Sequence, residues 1–266
     1  MKKTCVVLIV LLYGPFSLFA QQDSAAQQFR QRFADTSFST VNWNRPPAKT
    51  PFNFRKALLP AAFITYGILA VKTDALQDVN EKMKEEIWTE RPHALFHADN
   101  YLQWTPALAV YGLNLAGIKG KNNFRDRTMI YGISELLMSS VVFSVKKFTG
   151  EVRPNSSDAL SFPSGHTANA FAAAEFLRQE YKDVSPWYGV AGYAVAATTG
   201  YLRMYNNKHW LGDVVAGAGF GIMSTKLAYW IYPTIKKKLF KDKDVNTVVM
   251  PTYQSGAFGV GMVHQF

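Results

Sequence analysis

Between residues 146 and 213, three short stretches set cations, histidines and an acid at fixed spacing. In the first, KKFTGEVRP, six residues separate Lys146 from Arg153-Pro154, and two cations so placed can neutralise an oxyanion. In the second, FPSGHTANAFAAAEF, Ser164 suits a helix N-cap and Gly165 lets the backbone approach a ligand closely. The free N–H groups and dipole of the following helix form an anion seat, and His166 in its first turn faces the same anion. In the third, LRMYNNKHWLGD, His209 and Asp213 stand four apart, so on a helical turn the carboxylate reaches the imidazole. The carboxylate would accept the Nδ1 proton, fix the tautomer and leave the Nε2 lone pair free to attack. Arg203 lies at the preceding helix end, able to fork two oxygens of a phosphoryl group. Taken singly, each stretch also has an ordinary explanation. The Ser-Gly-His tripeptide suits a plain cap, and the third stretch suits a surface His–Asp pair beside a snorkelling arginine.

Taken in order, Lys-x6-Arg-Pro, Pro-Ser-Gly-His and Arg-x5-His-x3-Asp resemble the motifs of the type 2 phosphatidic acid phosphatase superfamily. That superfamily includes bacterial class A acid phosphatases and vanadium haloperoxidases. The motifs span 146–213, and a pattern of six helical segments extends the likeness to about 55–232. The resemblance implies that His209 is a nucleophile forming a phosphohistidine, that Asp213 orients it, and that His166 protonates the leaving oxygen before water cleaves the phosphoenzyme. It further implies that Lys146, Arg153 and Arg203, with Ser164 and the Gly165 N–H, hold the non-bridging oxygens. Three side-chain cations at one site can balance the phosphoryl charge, so no metal or other cofactor is expected. One position departs from the pattern: Leu202 stands where the family often has Ser before the third-motif arginine. The change removes one hydroxyl contact and no catalytic role.

A near-copy of the first motif, KEEIWTERP, sets Lys84 six residues before Arg91-Pro92. Glu85, Glu86 and Glu90 flank it and would repel a phosphate, and no Ser-Gly-His or His-x3-Asp follows at a suitable distance. It is expected to be a decoy on a surface helix. His93 and His97, with Asp99 nearby, have a spacing that zinc could use. No fourth ligand suggests itself, and a packing or surface role is expected.

The elements that must position these residues begin after a leader. Lys2 and Lys3, the apolar run CVVLIVLLYGPFSLF and the small-residue end at Ala20 match a signal peptide over 1–20, with an uncleaved anchor as the alternative. Cleavage would remove Cys5, the one cysteine, which leaves no disulfide or thiolate metal site. Residues 21–53 suit an extended arm, and 54–235 a helical phosphatase domain. Residues 236–266 suit a basic linker and a short β-hairpin around Gln254-Ser255-Gly256. The fold class expected is all-α, a six-helix bundle over apolar segments 55–72, 101–118, 129–148, 165–181, 187–204 and 210–232.

A membrane span needs about 20 mostly apolar residues. The uncharged runs are mostly shorter, and Glu175, Arg178 and Glu180 interrupt the fourth segment. A packed bundle in the periplasm, resting on a membrane, is therefore expected, with an integral protein as the alternative. A cleaved leader supports this. It puts residue 21 outside, and three spanning segments would then turn the site to the cytoplasm.

The formal charge is +10, which favours anionic partners. Export and the absence of a basic stripe interleaved with aromatics exclude a nucleic-acid role. The aromatic content and apolar segments favour a phosphorylated lipid as substrate, such as phosphatidate, a polyprenyl pyrophosphate or a lipid A headgroup. A soluble acid phosphatase acting on small esters, a vanadate-dependent haloperoxidase and a non-enzymatic envelope protein are the alternatives. The expected location is the cell envelope, with the site facing the periplasm. Oligomeric state is not legible in the sequence.

Overall fold

Every regular element between residues 54 and 240 is helical. The computed structural model describes residues 6–8, 54–240, 247–254 and 257–264, the three short pieces as backbone only. The chain divides into two units, Lys49–Ile235 and Met1–Ala48 with Lys236–Phe266. In the second unit, backbone strands β1 (Val6–Leu8), β2 (Thr247–Gln254) and β3 (Ala257–His264) pair antiparallel in the order β1-β3-β2. Apart from β1, the leader expected over 1–20 and the arm over 21–53 lie outside the described residues, except for Phe54 onward, where the body begins.

The helices of the body are α1 (Leu58–Lys72), α2 (Asp74–Lys84), α3 (Asp99–Leu102), α4 (Thr105–Leu115), α5 (Phe124–Thr149), α6 (Gly165–Tyr181), α7 (Pro186–Tyr205) and α8 (Leu211–Phe240). A 3₁₀ turn, Phe54–Ala57, leads into α1, and a π turn, Glu85–Thr89, follows α2. The six apolar segments each hold a long helix, while α2, α3 and the π turn add elements that the count of six leaves out. Local chemistry sets several boundaries. The Asn123 side chain caps α5 by accepting from the Asp126 N–H at 2.8 Å, and Gly150 ends that helix in the left-handed region at φ 61°. Ser185 caps α7, with Pro186 at its first position.

Helix α6 is the centre. Ala168, Ala170, Ala172, Ala173, Ala174 and Phe176 are fully buried, and α3, α4, α5, α7 and α8 pack around it. Its partner α8 meets it through small residues: a Cβ on Gly221 would come within 2.1 Å of the Ala168 carbonyl oxygen. Small residues at i and i+4 on both helices (Ala168 and Ala172, Gly217 and Gly221) permit this backbone-to-backbone approach.

The charges expected to interrupt a span face inward. Glu175 is fully buried and takes Arg178 at 2.6 Å, Lys226 of α8 at 2.9 Å and the Tyr193 hydroxyl of α7. Glu180 takes Asn122 at 2.6 Å and Tyr229 at 2.6 Å. Part of the compensation is local, from Arg178 three residues on in the same helix, and part is tertiary, from Lys226 and Asn122, 51 and 58 residues away. Apolar side chains instead face outward: Leu58, Leu59, Ile68 and Leu69 on α1, and Leu136, Val141 and Phe143 on α5, are exposed. Three stretches, Phe54–Lys72, Phe124–Thr149 and Leu211–Phe240, are long and apolar enough to cross a membrane. Only 17% and 22% of the first two is buried within the protein. An apolar helix left uncovered is a membrane helix or an interface, and this associates the body with a membrane. Helix α6 is not among the three.

Candidate active site

The turn between α7 and α8 brings the third motif together. Asn207 adopts the left-handed conformation at φ 54°, which Asn tolerates better than most residues. The chain then doubles back so that the Lys208 and His209 N–H groups both donate to the Arg203 carbonyl, at 3.0 and 3.3 Å. This fixes His209 beside Arg203 and just before α8, whose first turn carries Asp213.

His209 is 3% exposed, and its Nδ1 lies 3.3 Å from Asp213 Oδ2. Its Nε2 lies 3.4 Å from Arg153 Nη1. Arginine only donates, so Nε2 faces it as the unprotonated nitrogen and Nδ1 carries the hydrogen toward Asp213. The same tautomer is therefore favoured from both sides. Burial, then the charges of Lys146, Arg203 and Arg153, push the His209 pKa well below the usual imidazole range, so the ring is neutral. Asp213 Oδ2 is held in turn by the Ser161 hydroxyl at 2.5 Å and the Trp210 N–H at 2.9 Å.

The cations surround this ring. Lys146 at the end of α5 donates to the carbonyls of Leu160 and Ser161, at 2.5 and 3.0 Å. Arg153 is steered by Asp158 at 2.8 Å and also reaches the Lys208 carbonyl at 3.3 Å. Arg203 donates through Nη1 to the fully buried Asp99 at 2.5 Å, and its Nε has no partner among the described residues. That leaves a buried donor for a ligand. Ser164 occupies the cap position of α6, but its hydroxyl makes no cap bond and instead accepts from Thr167 at 2.9 Å. The Ser164 N–H donates to the Asp213 carbonyl at 3.0 Å, which ties α6 to α8. At Gly165 a Cβ would meet only Val142 Cγ1, at 4.0 Å, and the first amides of α6 lack helical acceptors. His166 Nε2 lies 2.9 Å from Asn100 Oδ1. Burial, followed by Arg203, lowers the His166 pKa to about 4.

All eight residues expected at the site thus belong to one connected region, linked through the loops around α6. Four others were not foreseen as parts of it: Ser161, Asp99, Asn100 and Lys84. Ser161 was within sight, two residues before the second motif's proline. Asp99 and Asn100 carry no local signal, because their partners lie 104 and 66 residues away. Lys84, in the stretch expected to be a decoy, is part-buried and braces a loop of the site without holding an anion there. Its Nζ donates to the Pro154 carbonyl at 2.9 Å and lies 5.3 Å from the Trp210 ring centroid. Trp210 Nε1 donates to the Val152 carbonyl at 2.9 Å, so the carbonyls on both sides of Arg153 are pinned. Arg91 is exposed. His93 stacks on Tyr205 at 3.6 Å and bonds the Tyr205 carbonyl at 2.8 Å, which is a packing role. No cluster of three or more potential metal ligands occurs among the described residues.

Comparison with known proteins gives the family. The chain is 34% identical over 186 residues to a lipid A 1-phosphatase of Porphyromonas gingivalis, which covers 70% of this chain and 39% of that protein. It is 36% identical over 84 residues to a lipid A 4'-phosphatase of Bacteroides thetaiotaomicron, covering 32% of this chain and 36% of that protein. The chain therefore spans well under half the length of the curated relatives it matches. Two solved structures are similar. One is the transmembrane PAP2-type phosphatidylglycerolphosphate phosphatase of Bacillus subtilis, at 20% identity and TM-score 0.46, covering 70% of this chain and 98% of that one. The other is Aquifex aeolicus LpxE, at 22% identity and TM-score 0.44, covering 57% and 94%. The sequence profile of the PAP2 superfamily matches residues 91–237, more than half of the chain and every residue of the site described above except Lys84, and by that match the chain belongs to the PAP2 superfamily.

Proposed function

We propose that this protein is a membrane-associated, metal-independent phosphatase that removes a phosphate monoester or pyrophosphate group from an envelope lipid. The observation that carries this reading is the tautomer of His209, favoured by Asp213 on one side and Arg153 on the other. The Nε2 lone pair attacks phosphorus, the bond to the leaving oxygen breaks, and His166 gives that oxygen its proton. Water then attacks the phosphohistidine, passes a proton to the now neutral His166, and phosphate leaves with His209 restored. Arg153, Arg203 and Lys146 hold the non-bridging oxygens, and the Gly165 end of α6 adds its amides. In the free protein the Arg153 and Lys146 donors rest on carbonyls and on Asp158. A dianionic phosphate competes for them, because it offers full charge where a carbonyl offers a partial one.

The identity to lipid A phosphatases and the uncovered apolar helices favour a lipid A-type phosphate as substrate over small soluble esters. The protein is proposed to enter the envelope behind the leader over 1–20, with the site facing the periplasm. A leader that carries residue 21 outward fits that location where the body rests on or partly enters the membrane, because Lys56, at the start of α1, then stays on the same side as residue 21. Phosphate release in detergent with EDTA, from a lipid A 1-phosphate, phosphatidate, a polyprenyl pyrophosphate and p-nitrophenyl phosphate, tests the reading. Activity that survives EDTA, is inhibited by vanadate and has its highest kcat/KM on a lipid is expected. Activity restored only by added Mg²⁺ or Zn²⁺, or highest on the soluble ester, would overturn the corresponding part.

A further inference from the structure

At the end of α6 remote from the site, a cleft of ≈ 580 Å³ opens between α1, α6, α7 and α8. Arg178 lies twelve residues after His166, about 18 Å along the helix at 1.5 Å per residue, and the cleft is separate from the catalytic residues. Its two walls differ in chemistry. Leu59, Phe63, Phe171 and Ile222 form an apolar wall, and Lys56, Arg178, Lys182 and Lys226 a cationic one.

The single carboxylate in the lining, Glu175, is already engaged by Arg178, Lys226, Gln179 and Tyr193. Lys56 and Lys182 make no ion pair among the described residues, although Lys121 and Arg178 crowd the same place. Burial and these neighbouring cations lower the Lys182 pKa, with Asp183 opposing them. A cluster of like charges beside a cavity leaves electrostatic repulsion that an anion would relieve. The apolar wall continues onto the exposed face of α1, where Leu58 and Leu59 are 66% and 60% exposed. A free anion would use the cations alone and leave that wall in water.

We infer that this cleft is a second, non-catalytic site for an anionic membrane phospholipid, with its phosphate on Lys56 and Lys182 and an acyl chain along Leu59, Phe63 and Phe171. The two-part chemistry selects this occupant: cationic side chains at the headgroup level, apolar side chains along the tail. The inference rests on the exposed apolar face of α1 and not on the phosphatase reading. A phosphodiester such as phosphatidylglycerol has no terminal phosphate to release, so its binding here is independent of turnover.

The test uses the full chain in neutral detergent with vanadate present to fill the catalytic site. Short-chain phosphatidylglycerol, phosphatidylcholine and inorganic phosphate are added separately, and Tm and lipid retained in native mass spectra are read. Phosphatidylglycerol is expected to raise Tm by several degrees and to be retained at least tenfold over phosphatidylcholine. The K56Q/K182Q double variant should lose that preference. It should keep kcat on p-nitrophenyl phosphate within twofold, which shows that it is folded. His209→Ala should retain phosphatidylglycerol as the wild type does, so loss of catalysis and loss of this site are distinguishable. Equal retention of the two lipids by the wild type, or an unchanged preference in the double variant, overturns the inference. An equal Tm gain from inorganic phosphate would reduce the cleft to a simple anion site and overturn the lipid assignment. If the double variant proves unfolded, the wild-type preference between the two lipids decides alone.

Discussion

At the scale of single residues, the site is an imidazole kept neutral among cations. His209→Ala is expected to abolish turnover, and an acid-labile phosphoryl adduct should be trapped on the wild type only. An adduct recovered on His166, with His209→Ala still active, would exchange the two roles. His166 has a pH signature. Burial and Arg203 hold its free-protein pKa down at about 4, whereas an acid must carry a proton in the complex. Bound phosphate offsets the charges of Arg203, Arg153 and Lys146, and so raises that pKa. The alkaline fall of kcat/KM, which reports the free enzyme, should therefore begin at lower pH than that of kcat. Coincident limbs would remove His166 as the acid. His166→Ala should also cost about 10²–10⁴-fold on an alkyl phosphate, the usual range for general acid catalysis, and far less on p-nitrophenyl phosphate, whose leaving group needs no proton. Among the cations, Arg153→Ala should cost about 3 kcal/mol in transition-state stabilisation, typical for one fixed donor at a charged site. Arg91→Ala should cost almost nothing. Lys84→Ala should fall between them, since Lys84 holds the Pro154 carbonyl and not the phosphate. A Lys84→Ala loss equal to that of Arg153→Ala would give Lys84 a direct role.

At the scale of elements, short segments far away in sequence hold the site. Helix α3 is one turn long, yet Asp99 anchors Arg203 and Asn100 meets His166. Removing one partner of a buried ion pair typically costs about 3–5 kcal/mol. Asp99→Ala should accordingly lower Tm as well as activity, and an unchanged Tm would mean that the pair is dispensable. Helix α2 contributes Asn80, whose side chain accepts from the Gly212 N–H at 3.0 Å and so fixes the start of α8 next to Asp213. The close crossing of α6 and α8 makes a sharper test. Gly221→Ala would drive a Cβ into the Ala168 carbonyl and should destabilise by about 1–3 kcal/mol, as overpacking does. Gly112→Ala on α4 meets nothing within 4 Å and should be neutral or stabilising, because Ala favours a helix over Gly by about 1 kcal/mol. Equal Tm changes in the two variants would contradict the close approach.

At the scale of the molecule, α1 and α5 turn apolar faces outward, while the charges of Glu175 and Glu180 are buried. That pattern suits a lipid surrounding better than water. It can be checked by single cysteines in a Cys5→Ser background: Asn155→Cys beside the site and Val184→Cys after α6, at the opposite end. If the body spans with its site in the periplasm, an impermeant thiol reagent should label Asn155→Cys in outer-membrane-permeabilised cells. It should reach Val184→Cys only once the inner membrane is opened. Labelling of both at once would return the protein to a bundle resting on the membrane. A leader that carries residue 21 outward, followed by a spanning α1, would turn the site to the cytoplasm and reverse the two patterns.

The sequence by itself put forward the candidate site. The spacing of Lys146, Arg153, His166, Arg203, His209 and Asp213 made them candidates through their resemblance to family motifs, which are short and leave a local trace. The apolar periods likewise marked where the long helices run. What surrounds those residues was decided by the tertiary structure alone. The same Glu175 that argued against a membrane from the sequence pairs across the fold with Lys226, 51 residues away, in addition to the local Arg178. The same Lys84 that resembled a decoy braces the Arg153 loop. In both cases the deciding partner lies tens of residues away, and an ionic or hydrogen-bonded partner at that separation imposes no pattern on the sequence between. Which way a charged side chain faces, inward to a partner or outward to solvent, is fixed only when the helices pack.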